Sequence, residues 1–234
     1  LAGENLRGRD KACSLGETLL GDAPVAKIIV HHLNDSRSQR ILWLLEEIGI
    51  DYEIKHYQRM SPVPLAPPEL KAVHPLGKSP VVTVDGKAII ESGAIVELLI
   101  ERFAPDRLAP ARGSDDYSAY IQWLHYSEGS AMLPLMLKLY TSLLGEAAAP
   151  LHPRIESEIA NHLGYMENAI KGREFFVGDT LTGADIQLSF TSEAANGRGA
   201  LAAYPELARH MKAMQARPAY LRGLEKGGPY SYAK

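Results

Sequence analysis

Apolar positions along this chain repeat at strand and short-helix spacings at first, and from about residue 115 almost wholly at the spacing of helices. Residues 27–32 are a β-rich run closed by the polar cluster Asn34, Asp35 and Ser36. Ile41, Leu44, Leu45 and Ile48 then recur at helical spacing, with Ser36 and Gln39 placed as a capping box and Gly49 as the stop. Residues 51–57 return to a strand. Strand, helix and strand with such short joints predict a parallel pair joined by a right-handed crossover. Residues 61–68 hold four prolines and read as an irregular loop, after which residues 69–73 allow one helical turn before His74-Pro75.

The next stretch, residues 76–92, contains a small-molecule site in outline. Residues 81–84 and 88–90 are short apolar runs separated by Asp85-Gly86, a dipeptide suited to the positive φ angles of a tight hairpin. Pro80 cannot donate to a ladder, so it fits a strand's first residue, and a cis bond after Ser79 is expected there. That geometry leaves the Ser79 backbone N–H and C=O free for a peptide-like ligand. Ser92 is expected to cap a helix over residues 92–103.

After Phe103 the pattern changes. Residues 104–113 carry prolines and read as a linker. Residues 115–144 predict one long helix bent at Pro134, or two helices, because an interior proline removes a backbone bond. Ile155, Ile159, Leu163, Met166 and Ile170 mark another amphipathic helix, Thr182 to Asp185 a capped start, and Leu207, Met211 and Met214 a helix ended by Arg217-Pro218. A short helix over residues 220–225 is expected to follow.

Composition narrows the chemistry. The 234 residues are 46% hydrophobic, enough for one large domain or two smaller ones. Lys and Arg are scattered among Asp and Glu with a net charge of −3, so no basic stripe marks a nucleic-acid partner. Cys13 is the only cysteine, which excludes an intramolecular disulfide, a cysteine-rich metal site and a Cys-x-x-Cys pair, and fits a reducing, cytoplasmic compartment. Neither a bilayer-spanning run nor a secretory signal is evident, so no membrane partner is expected. Residues 1–26 read as a tail outside the fold, processed or added. His31-His32 has no acid or cysteine partner at ligand spacing, so no metal is expected.

Three motifs carry a family resemblance: Ser36-Arg37-Ser38-Gln39-Arg40 with the helix that follows, His74 to Pro80, and Glu91 to Ile95. In this order and spacing the chain resembles the cytosolic glutathione transferases, in particular a serine-type bacterial and fungal branch. Thr182 and Asp185 match a second landmark of that family, a structural capping box. The resemblance covers residues 27–225. It implies an α/β thioredoxin-like N-terminal domain of βαβ-α-ββα order (27–103), a linker (104–113) and an all-α domain (114–234) bearing the electrophile site. Family members form homodimers, and their substrates are glutathione and a small hydrophobic electrophile or hydroperoxide.

The resemblance assigns Ser36 as the catalytic hydroxyl that stabilises the glutathione thiolate. A free thiol ionises near pH 8.5, and lowering its pKa by about two units requires about 2.7 kcal/mol. A hydrogen bond to the anion supplies ~1.5–3 kcal/mol and a helix N-terminus ~0.3–1 kcal/mol, so one hydroxyl at a helix mouth suffices. Taken alone, Ser36 reads as a simple cap. The two roles are compatible, and with the Ser79-Pro80 and Glu91-Ser92 motifs present the catalytic role is the preferred one, Ser38 being the rival hydroxyl. Glu91 and Ser92 are expected to hold the γ-glutamyl ammonium and carboxylate, Lys78 the glycine carboxylate, and Ser79 with Pro80 the tripeptide backbone. Trp123, Tyr126 and Tyr140 either line an apolar pocket or belong to the core. Arg37 and Arg40 read as ion-pair partners. The reading this implies is a glutathione transferase that passes the thiolate to an electrophile; reduction of a hydroperoxide through the same thiolate and non-catalytic binding on the same fold are the alternatives.

Overall fold

The structure is a computed structural model that describes residues 26–63 and 65–233; the expected tail lies outside the described residues except for Ala26. Its first unit is a four-stranded sheet of order β2-β1-β3-β4 flanked by helices. Strand β1 (Ile28–Leu33) pairs parallel with β2 (Glu53–Tyr57) and antiparallel with β3 (Val81–Val84), which pairs antiparallel with β4 (Lys87–Ile89). The parallel pair brackets α1 (Gln39–Ile48), the crossover expected from the strand-helix-strand pattern. Gly49 ends α1 in the left-handed region at φ 77°, its N–H donating to the Leu45 carbonyl at 2.8 Å. Asp85 and Gly86 take the positive φ angles of the hairpin turn, and the Ser79–Pro80 bond is cis. Helices α2 (Glu69–Val73) and α3 (Ser92–Phe103) complete this unit.

The remainder is helical: α4 (Asp115–Tyr126), α5 (Met132–Thr141), α6 (His152–Ile170), α7 (Gly183–Asn196), α8 (Pro205–Gln215) and α9 (Pro218–Gly227), with a 3-10 segment over Ser142–Leu151. The break expected at Pro134 falls earlier. Ser127–Ala131 form a π-turn between α4 and α5, so Pro134 lies in the first turn of a new helix, where a missing N–H costs little. Thr182 caps α7 with a complete capping box: its hydroxyl accepts from the Ala184 N–H at 3.2 Å, and Asp185 Oδ2 accepts from the Thr182 N–H at 3.0 Å. Gly183 sits at the closest approach of α7 to α3, where a Cβ would lie 2.7 Å from both Val96 Cγ1 and Ile100 Cδ1.

Helix α1 is buried on both sides, with Ile41, Leu44 and Leu45 in the apolar core and Arg40 equally enclosed. Charges tie its other flank to α9: Glu46 accepts from Arg222 Nε at 2.8 Å and from Lys226, and Glu47 accepts from Arg217 Nε at 2.6 Å. Beyond α9, the Tyr230 hydroxyl donates to buried Glu193 Oε2 at 2.6 Å and anchors the last described segment across the start of α1.

Candidate active site

Asn34, Asp35 and Ser36 form the turn from β1 into α1. Asp35 holds a left-handed φ of 49°, a conformation that Asp tolerates better than most residues. Arg59 braces the turn from behind, its N–H donating to Asn34 Oδ1 at 2.8 Å and its Nη2 to the Asp35 carbonyl at 2.9 Å. From the front, the Ser231 N–H and hydroxyl donate to the Asp35 carboxylate at 2.7 and 3.1 Å. The loop after β2 and the segment after α9 thus both hold the turn that leads into Ser36.

The expected capping box does not form. Helix α1 begins at Gln39 with Ser38 in the N-cap place, and the left-handed turn sets Ser36 two residues ahead of it. The Gln39 N–H bonds to the Ser36 carbonyl at 3.2 Å, while the buried Gln39 amide has no partner among the described residues. Ser36 Oγ instead accepts from the Ser38 N–H at 3.2 Å and lies 2.8 Å from Ser38 Oγ and 3.1 Å from Ser79 Oγ. The structure thus joins the first turn to the loop before Pro80, 43 residues away.

The two candidate hydroxyls differ in surroundings. Ser38 is fully enclosed at 0% exposure, with Oγ 2.9 Å from His32 Nδ1 and accepting from the Leu33 N–H at 3.3 Å. Ser36, at 4%, touches partly buried Ser79 and lies on the outer side of the pair. Burial, reinforced by the neighbouring His56, lowers the His32 pKa to about 4, so the ring is neutral at pH 7.

Ser92 also departs from expectation. It is the first residue of α3 and not its cap; Glu91 takes the cap position at φ 66°, without a side-chain cap bond. Ser92 is buried, and its Oγ accepts from Gln187 Nε2 of α7 at 3.1 Å. Its own proton remains available, the Glu91 carboxylate is exposed beside it, and the first N–H groups of α3 lack intrahelical acceptors. An acid, a hydroxyl and a helix N-terminus are thereby set side by side. Lys78 is exposed and makes no ion pair among the described residues. The candidates fall into two groups, Ser36 with Ser79 and Glu91 with Ser92, and no hydrogen bond joins the groups among the described residues.

Arg37 and Arg40 are ion-pair partners as read from sequence. Both bond Glu128 on the π-turn, Arg37 Nε at 2.7 Å, and Arg40 also donates to the Gln187 carbonyl. Burial raises the Glu128 pKa, but the two guanidinium groups overcome it and hold the carboxyl below its usual range. Trp123 is a core residue and Tyr126 is half-buried against it: Trp123 packs against Tyr126, Tyr165 and Phe176, and the Tyr126 hydroxyl meets His162 Nδ1 at 2.8 Å. Tyr140 is 59% exposed and joins neither. Sequence reading missed His32, Glu128 and Gln187. Glu128 and Gln187 meet partners that a linear pattern does not bring near, and His32 meets Ser38 only because the turn folds back along β1.

Among the described residues, no cluster of three or more His, Cys, Asp or Glu is placed to hold a metal ion, and no helix is long and apolar enough to cross a membrane. A thioredoxin-like sheet carrying a hydroxyl turn, a cis-proline loop and an acid-led helix, followed by a helical domain, defines the glutathione-transferase class of enzyme folds. The chain belongs to the glutathione S-transferase family. Residues 27–101 match the N-terminal domain of glutathione S-transferases and residues 136–221 their C-terminal domain. It is 34% identical over 215 residues to glutathione S-transferase 3 of Schizosaccharomyces pombe, covering 85% of this chain and 87% of that one. Glutathione S-transferase 1 of Saccharomyces cerevisiae is 30% identical over 226 residues, covering 87% and 95%. A crystal structure of a glutathione S-transferase from Actinobacillus pleuropneumoniae superimposes with a TM-score of 0.82 at 35% identity, covering 88% of this chain and 95% of that one.

Proposed function

We propose that this chain binds glutathione and activates its thiolate through Ser36 for attack on a small hydrophobic electrophile. The supporting observation is the Ser36 hydroxyl itself. It lies at the outer edge of the α1 turn, its oxygen accepts the Ser38 N–H, and its proton can turn to an incoming sulfur. Glu91 takes the γ-glutamyl ammonium, Ser92 and the α3 N-terminus its carboxylate, Ser79 and Pro80 the tripeptide backbone, and Lys78 the glycine carboxylate. The electrophile is assigned to the side where the π-turn carries Glu128 to Arg37, because α5 leaves that contact with Leu133 and Leu137 exposed. We assign residues 27–103 and 114–234 to the two domains, a homodimer as the assembly and the cytoplasm as the compartment.

The test measures glutathione affinity by calorimetry and turnover on panels of electrophiles and hydroperoxides, for the natural chain and Ser36→Ala. Conjugation that falls at least tenfold in kcat/KM, with affinity nearly unchanged, supports the proposal. Turnover only on hydroperoxides moves the same site to peroxidase chemistry. Binding without turnover on any panel contradicts the catalytic reading and leaves a binding protein.

A further inference from the structure

Gly228 leaves α9 at φ 84°, and residues 228–233 then form a strap that touches both units of the fold. Three contacts fasten it to the helical unit. Tyr230 is buried, with its hydroxyl donating to Glu193 Oε2 of α7 at 2.6 Å. The Tyr232 ring packs edge-on against Phe190 of α7, centroids 5.6 Å apart, and Gln215 Nε2 of α8 donates to the Tyr232 carbonyl at 3.4 Å. A Cβ on Gly197, at the end of α7, would stand 3.0 Å from Tyr232 Cδ1, so the ring lies tight against that terminus. Between the two tyrosines, Ser231 reaches the first unit instead. It gives both of its donors to one carboxylate: the N–H to Asp35 Oδ1 at 2.7 Å and the hydroxyl to Asp35 Oδ2 at 3.1 Å.

Asp35 is the residue whose backbone aims Ser36. Its φ of 49° is left-handed, and a residue other than glycine keeps such an angle only where its surroundings hold it. Arg59 holds the Asp35 carbonyl, and Ser231 holds the side chain. Ser36 Oγ has little room for error, because it must stay within reach of the Ser38 N–H at 3.2 Å and of Ser79 Oγ at 3.1 Å. Relaxation of Asp35 swings the next residue away from both. The carboxylate has a second effect. With both oxygens accepting from the strap its charge is engaged, whereas a released carboxylate one residue from Ser36 is free to approach a sulfur anion, and like charge raises a thiol pKa.

We infer that Ser231 and Asp35 are a pair of positioning residues, through which a strap anchored on the helical unit sets the turn that carries Ser36. This rests on the reading of Ser36 as the thiolate donor. The Phe190 ring that supports Tyr232 also lies under the Arg37 guanidinium at 5.0 Å, so the strap and the residue after Ser36 share one support on α7. Ser231 is exposed, and its bonds therefore add little to folding. Their effect on the bound thiol is readable apart from stability.

The experiment is an ultraviolet titration of bound glutathione thiolate, with kcat, KM for glutathione and melting temperature read on the same proteins. The full-length variants are Ser36→Ala, Ser231→Ala, Ser231→Thr, Ser231→Pro, Asp35→Gly, and Ser231→Pro combined with Asp35→Gly. Ser231→Pro removes both donors and should raise the bound thiol pKa by roughly one unit and lower kcat about tenfold, with KM within about twofold. Ser231→Ala keeps the N–H and should shift the thiol less, with the melting temperature nearly unchanged, and Ser231→Thr should keep the natural values. In Asp35→Gly the backbone still takes a positive φ but the two donors have nothing to meet, so Ser231→Pro should add no further shift there. If Ser36→Ala raises the thiol pKa while Ser231→Pro leaves it at the natural value, or shifts it equally with and without Asp35, the inference is overturned and the Ser36 reading stands. If Ser36→Ala itself changes nothing, both fall. Should Ser231→Pro not fold, Ser231→Ala decides against Ser231→Thr, and the same thiol pKa in these two overturns the inference.

Discussion

The turn before α1 and the turn before α3 both look like serine caps in the sequence, and in the structure neither serine is the cap. Before α1, three hydroxyls and an imidazole hold one another, so Ser36 can exchange one hydrogen bond for another without leaving a buried group unpaired. Before α3, Ser92 is pinned by Gln187 from the helical unit, and Glu91 is held at a φ of 66° that costs on the order of 1–3 kcal/mol in a non-glycine residue. The first turn is built to redirect a hydrogen bond. The second is built to hold charge in a fixed place, its strain sustained by packing between the two units.

Ways to break this contrast can be ranked by expected size. The largest concerns the neutral imidazole at the first turn. The His32 pKa falls from 6.5 to about 4 on folding, so between these values the unfolded chain binds the extra proton. Stability from this group is fully present above pH 6.5 and is lost as pH falls through 4, by roughly 3 kcal/mol at 1.36 kcal/mol per unit. Denaturant melts across that range should show this slope, and His32→Asn should flatten it. A stability that stays level from pH 6.5 to 4 in the natural chain removes the neutral buried ring.

Next comes the catalytic loss at the first turn. Ser36→Ala should lower kcat/KM by ~10–150-fold, the equivalent of about 1.5–3 kcal/mol for a hydrogen bond to a charged group, with the loss in kcat. At the second turn, Glu91→Gln should weaken glutathione binding by about tenfold while leaving the bound thiol's ionisation untouched, because the charge it removes faces the ammonium. An ionisation shift in Glu91→Gln would erase the distinction between the two turns. Smallest is Gln187→Leu, which removes the donor behind Ser92 together with a buried carbonyl oxygen that has no partner among the described residues. These effects oppose one another in stability, so the melting temperature should move little while KM for glutathione rises a few-fold.

Much of the fold was legible because its signals are local. Gly49, Asp85-Gly86 and Thr182 with Asp185 each act within a few residues, and each does in the structure what its neighbours suggested. The caps at Ser36 and Ser92 were not legible to the residue, since a left-handed Asp35 and a φ-positive Glu91 shift each helix start, and tertiary contacts set those angles. Pro134 misled for a related reason: the irregular turn lies over Ser127–Ala131, ahead of the proline, and Arg37 and Arg40 bond Glu128 within it. The proposed site was half visible. Ser36, Ser79, Glu91 and Ser92 stand in recognisable motifs, whereas His32 and Gln187 show their place only through the hydroxyls they meet in the folded chain.

The most direct measurement is the apparent pKa of glutathione's thiol on the natural protein and on Ser36→Ala, followed by thiolate absorbance across pH. The account predicts ionisation about two units below the free value of ~8.5 on the natural protein, with most of that shift lost in Ser36→Ala. A bound thiol that ionises like free glutathione in both proteins would contradict it.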